Sequence, residues 1–126
     1  MNPKILLADD SQVVLRLAQC FLRTKYTTST AVTGEEAFER AVTEQPDLIF
    51  LDRHMPGWSG SATLAALARD KRTRHIPVVV MTTEDHIASL GEIDHLQKPF
   101  DAAALVGKVQ ERLGRPPARR SQPIAA

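Results

Sequence analysis

DLIFLDRHMPGWSG, residues 47–60, holds a short apolar run that stops at one acid, Asp52, and passes at once into a segment containing Pro56 and Gly57. A run so short and so apolar reads as a β-strand buried on both faces, which places it inside a parallel sheet. The strand is expected over Asp47 to Leu51. The turn residues behind it would hold the Asp52 carboxylate exposed at the sheet edge.

The same pattern recurs on either side of this stretch. Asp9 and Asp10 follow the run KILLA, Thr82 closes a run from Ile76 to Met81, and Lys98 stands just beyond Ile93 to Leu96. Strands are therefore expected at Lys4 to Ala8, about Tyr26 to Val32, Asp47 to Leu51, Ile76 to Met81 and Ile93 to Leu96. The second run, YTTSTAV, is Thr-rich and polar, which suits an edge strand.

Amphipathic stretches alternate with the runs. Val14, Leu17, Ala18, Phe21 and Leu22 recur at helical spacing, as do Ala37, Phe38, Ala41 and Val42. Leu64, Leu67 and Ala68 mark a third helix, and Leu105, Val106, Val109 and Leu113 a last one with Asp101 as its N-cap. Thr33 with Glu36 forms a capping box for the second helix. Strands alternating with helices give an α/β fold, a parallel sheet covered on both faces. The connection from Thr82 to Glu92 is the exception, near the lower limit of about 10 to 12 residues for a parallel crossover, so the fourth helix is expected to be short or missing.

Composition narrows the class. A length of 126 residues with 43% hydrophobic side chains fits one globular domain, expected over 1–113. Residues 114–126, GRPPARRSQPIAA, have too few apolar anchors to fold alone and are expected to be a disordered, basic, Pro-rich tail. Arg115, Arg119 and Arg120 belong to that tail. Without them the body carries more acid than base, which argues against a nucleic-acid partner. No stretch approaches the roughly 20 apolar residues of a membrane span, so no membrane partner is expected. A cytoplasmic location is the corresponding expectation. Cys20, the one cysteine, lies in a helical pattern and is read as packing.

Parallel strands place their carboxyl ends on one edge, so Asp9, Asp10, Asp52, Thr82 and Lys98 are expected to converge on one crevice. Converging carboxylates repel unless protonated or neutralised by a cation, and Mg2+ is the natural solution because its octahedral shell leaves positions for phosphate oxygens. Asp52 could then attack a phosphoryl group and form an acyl phosphate. Thr82 offers a hydroxyl and Lys98 a point charge to the phosphoryl oxygens. Taken one at a time, Asp9 and Asp10 could simply cap the first helix and Lys98 could be a solvated lysine. Helix capping does not explain why Asp52 and Lys98 also fall at strand ends.

These pieces, ILLADDS at 5–11, DLIFLDRHMPGWSG at 47–60, IPVVVMTTED at 76–85 and QKPF at 97–100, resemble the receiver domains of two-component response regulators. The resemblance covers about Pro3 to Leu113. It implies a flavodoxin-like doubly wound sheet of strand order 2-1-3-4-5. It also implies Asp52 as phosphoacceptor, and Asp10 with Asp52 as direct Mg2+ ligands. Asp9 would act through water, and the backbone carbonyl of His54 would complete the ligands. Thr82 and Lys98 would bind phosphoryl oxygens, and the Lys98–Pro99 peptide would be cis. The implied partners are a histidine kinase or phosphotransfer protein and a separate downstream protein target, with the receiver itself a monomer or weak dimer. No enzyme activity is implied beyond self-phosphorylation and autodephosphorylation.

Several residues depart from the pattern. The aromatic switch position on the fifth strand is His95, which together with Thr82 would carry the switch. Thr83 stands where receivers usually carry a smaller residue. His54 occupies a position that tunes dephosphorylation in relatives. These departures leave room for an alternative, a receiver that works without phosphate as a constitutive interaction module. A small phosphohydrolase is a third reading, weakened because no acid stands two residues beyond Asp52.

Overall fold

The computed structural model describes residues 2–83, 85–86, 90–91 and 93–114. Strands β1 (Lys4–Ala8), β2 (Thr27–Ala31), β3 (Leu48–Asp52), β4 (Val78–Thr83) and β5 (His95–Lys98) form one parallel sheet of order β2-β1-β3-β4-β5. The helices are α1 (Gln12–Leu22), α2 (Gly34–Glu44), α3 (Gly60–Arg69) and α4 (Ala102–Leu113). This is the flavodoxin-like arrangement. The Thr-rich strand β2 lies at the edge, as its polarity suggested.

Alternation along the strands divides the core into two layers. Ile5, Leu7, Leu48, Phe50, Val79, Met81 and Leu96 pack beneath α1 and α4, against Leu15, Ala18, Leu22, Leu105 and Val109. Leu6, Ala8, Ile49 and Leu51 turn the other way, to Ala37 and Ala41 of α2 and Leu67 of α3. Each large side chain so buried contributes about 1.5 to 3 kcal/mol, and sliding a strand by one residue would exchange its two faces. Register is thereby fixed, and with it the height at which each strand ends.

Local chemistry sets the helix starts. Ser11 caps α1 by accepting from Val14 N–H at 3.3 Å, and Asp101 caps α4 by accepting from Ala104 N–H at 2.8 Å. Thr33 accepts from Glu36 N–H at 3.1 Å, while Glu36 reaches back to Val32 N–H at 2.9 Å, one residue earlier than a standard capping box. The Lys98–Pro99 peptide is cis.

Some boundaries and faces differ from the sequence expectations. Strand β4 starts at Val78 and β5 at His95, two residues later than expected in each case, so Thr82 and Lys98 lie inside their strands. Pairing of Val80 with His95 and Thr83 with Lys98 extends the ladder past the apolar residues that sequence patterning detects. Cys20 is exposed rather than packed, and Leu17 is 48% exposed, because α1 buries only the narrow stripe Leu15, Ala18 and Leu22. Between Thr83 and His95 there is no α-helix among the described residues. The expected tail beyond Gly114 lies outside them.

Candidate functional site

Strand parity explains how distant residues meet. Asp9 follows Leu7 by two positions, Asp52 follows Phe50 and Lys98 follows Leu96; all three leading residues belong to the layer beneath α1 and α4. The next side chain on that face at each carboxyl end is therefore polar. Lys98 Nζ lies 3.1 Å from Asp52 Oδ1 and 2.8 Å from Asp9 Oδ2. Asp9 is fully buried, Asp52 nearly so, and Asp10 is exposed at the rim.

Asp9, Asp10 and Asp52 each offer a carboxylate oxygen, and the three atoms lie within 4.8 Å of one another. Burial raises the Asp52 pKa above its ordinary value, and the neighbouring charge of Asp9 raises it further against the opposing pull of Lys98. For Lys98, burial works against the charge, but the close Asp9 carboxylate and the attraction of Asp52 outweigh it and leave the pKa raised. Asp9 divides its oxygens. Oδ1 accepts from Ser11 N–H at 2.9 Å, so Asp9 does support the start of α1, although Ser11 is the cap. Oδ2 is buried and receives no well-directed hydrogen bond; its contact with Lys98 is ionic proximity alone. A buried, underused carboxylate oxygen beside two further acids suits a hard divalent cation, so these residues fit the Mg2+ that the donor set implies.

Above the acids opens a cleft of about 200 Å³, lined by Asp10, Asp52, Arg53, His54, Thr82, Thr83, His86 and Lys98. Thr82 is buried, and its hydroxyl makes only a long 3.5 Å contact to the Thr83 carbonyl. That hydroxyl is nearly unused. His54 is exposed at the mouth, and its Nε2 lies 2.8 Å from Arg53 Nη1. Because Arg can only donate, Nε2 accepts and a neutral His54 carries its proton on Nδ1. The His86 ring stands edge-on to His54, with centroids 5.8 Å apart.

The structure thus brings Asp9, Asp10, Asp52, His54, Thr82 and Lys98 together. His95 is not in the cleft. It is half-buried, pairs with Val80 in the ladder and shares by parity the sheet face of Thr82. Arg53 and His86 line the cleft without having been singled out in the sequence. Arg53 could have been found by its place directly after Asp52, whereas His86 reaches the cleft only through the path of the chain beyond β4.

Comparison with known proteins agrees with this geometry. Residues 5–110 match the family model for the response regulator receiver domain. The chain is 38% identical over 117 residues to the response regulator PleD of Caulobacter vibrioides, covering 87% of this chain and 26% of PleD. It is 35% identical over 122 residues to PhoP of Bacillus subtilis, the alkaline phosphatase synthesis transcriptional regulatory protein, covering 91% of this chain and 50% of that one. The chain thus spans between a quarter and a half of these relatives. Among solved structures, the chemotaxis response regulator CheY4 of Vibrio cholerae aligns with a TM-score of 0.79 at 26% identity, covering 90% of this chain and 100% of that one. The N-terminal domain of a response regulator receiver protein from Methanoculleus marisnigri aligns with a TM-score of 0.68 at 32% identity, covering 90% and 98%. With these sequence and structural matches over the acid-edged sheet, the chain belongs to the response regulator receiver domain family.

Proposed function

We propose that Asp52 accepts a phosphoryl group from the phosphohistidine of a histidine kinase or phosphotransfer protein, in a reaction that depends on Mg2+. The observation that carries this reading is the buried meeting of Asp9, Asp52 and Lys98, with Asp10 at the rim. Gathering like charges in a buried place destabilises a fold, and a receiver that never met a cation or phosphate would gain nothing from it.

Asp9, Asp10, Asp52 and the main-chain carbonyl of His54 would hold the ion. Bound there, Mg2+ supplies charge neutralisation and polarises phosphoryl oxygens. An Asp52 carboxylate oxygen attacks phosphorus, the P–N bond of the donor breaks, and the released imidazole keeps the electron pair and takes up a proton. Lys98 Nζ, already beside Asp52, pairs with a phosphoryl oxygen. The Thr82 hydroxyl, weakly engaged in the free protein, can turn to another. His54 at the cleft mouth would set the access of the water that later removes the phosphoryl group.

The new charge biases a two-state equilibrium in which Thr82 and His95, on one sheet face, move together. Such couplings amount to about 1 to 3 kcal/mol. Output passes through protein–protein contact in the cytoplasm, and no separate substrate is turned over. Intact-mass analysis with a small phosphoryl donor and Mg2+, together with beryllofluoride binding, tests the proposal. Wild type should gain one phosphoryl group and bind beryllofluoride while Asp52→Asn does neither; equal signals from the two proteins would refute it.

A further inference from the structure

The loop between β3 and α3 carries His54 and is held at both ends by main-chain bonds: Arg53 N–H donates to the Met81 carbonyl at 3.1 Å, and Gly60 N–H donates to the Arg53 carbonyl at 3.1 Å. Met55 anchors its middle in the core layer under α2 and α3. What fixes the remainder comes from elsewhere in the chain. Glu35, in the first turn of α2, accepts from Trp58 N–H through Oε1 at 3.1 Å, across a separation of 23 residues. Phe38, one turn further along the same helix face, packs on the Trp58 ring with centroids 5.8 Å apart.

Two glycines permit this grip. Gly57 is in the left-handed region at φ 77°, and a methyl group there would come within 2.2 Å of Glu35 Oε1. At Gly34 a methyl group would come within 2.6 Å of the Trp58 carbonyl oxygen. The loop and the start of α2 are thus in backbone-to-backbone proximity, with the Glu35 carboxylate closing the gap.

We propose that Glu35 is a positioning residue for the divalent-ion site, holding the His54 loop in the geometry that favours Mg2+ over Ca2+. The inference rests on the ligand set of the preceding section, in which the His54 carbonyl is one donor. Mg2+ demands a near-ideal octahedron with short bonds, whereas Ca2+ accepts longer bonds and irregular shells. A loop freed to drift loses Mg2+ affinity and keeps most of its Ca2+ affinity. An effect of the Glu35 charge alone would weaken both ions together. Glu35 itself touches no ion.

Calorimetric titration of the full chain with Mg2+ and separately with Ca2+ tests this for wild type, Glu35→Ala and Glu35→Gln. Glu35→Ala should weaken Mg2+ binding about fivefold, the ratio that one exposed hydrogen bond corresponds to, and Ca2+ binding less than about twofold. Glu35→Gln, which keeps a carbonyl acceptor for Trp58 N–H, should restore the wild-type ratio. Gly57→Ala, which displaces the carboxylate by a different route, should reproduce the selectivity loss. Equal weakening of both ions, an unchanged Mg2+ affinity in Glu35→Ala, or failure of Gln to rescue would each overturn the inference while leaving the phosphoryl reading intact. A wild type that binds neither ion would overturn the metal reading on which it rests.

Discussion

Asp52 and Lys98, 46 residues apart in sequence, meet at 3.1 Å, and the same ammonium lies 2.8 Å from Asp9. This one cation partly offsets two buried acids. A divalent ion entering here would compete with Lys98 for both of them.

Asp52 ties the stability of the fold to pH. Burial, and then the charge of Asp9, raise its folded pKa above the ordinary 3.8, so the fold favours the neutral acid. No penalty exists below the unfolded value; it grows as pH rises from there towards the raised folded value and is complete above that. In chelator at neutral pH, Asp52→Asn should therefore be more stable than wild type, by on the order of 1 kcal/mol. Urea unfolding at pH 7 and again below pH 3.8 checks this, since the advantage should vanish in acid.

Lys98 gives the opposite dependence. Its folded pKa is raised above 10.5, so its contribution is complete below that value and is lost as pH climbs through the raised one. Lys98→Met leaves Asp9 and Asp52 without their cation and should cost about 2 kcal/mol at neutral pH in chelator. Alkaline unfolding followed by circular dichroism should show the wild type converging on the variant above pH 10.5.

Mg2+ itself should stabilise the fold. At an ion concentration about ten times the dissociation constant, linkage supplies about 1.4 kcal/mol. Scanning calorimetry should show a rise in Tm on adding Mg2+ to wild type and a much smaller rise for Asp52→Asn.

Gly34→Ala sets two effects against each other. Alanine is favoured over glycine by about 1 kcal/mol in a helix interior and by less at the first helical residue, which Gly34 is. The added methyl group would lie 2.3 Å from Thr63 Oγ1, whose residue is fully buried, and 2.6 Å from the Trp58 carbonyl oxygen. Overpacking of this kind costs about 1 to 3 kcal/mol, so net destabilisation is expected, measurable by urea unfolding.

The sheet and the acids were legible in the sequence because buried strands leave continuous apolar runs, and the last residue of such a run announces itself by its polarity. Asp9, Asp10 and Asp52 follow their runs closely, and they are where the pattern placed them. Strand β5 was less legible. Its latter half, Gln97 and Lys98, is polar and is strand only because it pairs with Thr82 and Thr83. Periodicity overstated the inner face of α1 because Leu17 is apolar yet points outward. The bond from Trp58 to Glu35 left no trace at all, since a contact between a loop amide and a distant helix turn has no period.

Register also governs how such a chain tolerates change. Ala8 stands beside Leu51, Asp52 beside Met81, and Thr82 beside Gln97, so the working groups are held level by the ladder and not by the lengths of the connectors. Adding residues to the surface turns leaves that alignment untouched. Deleting a single residue within β3 would swing Asp52 to the opposite side of the sheet and silence the centre, even if every side chain named above were still present.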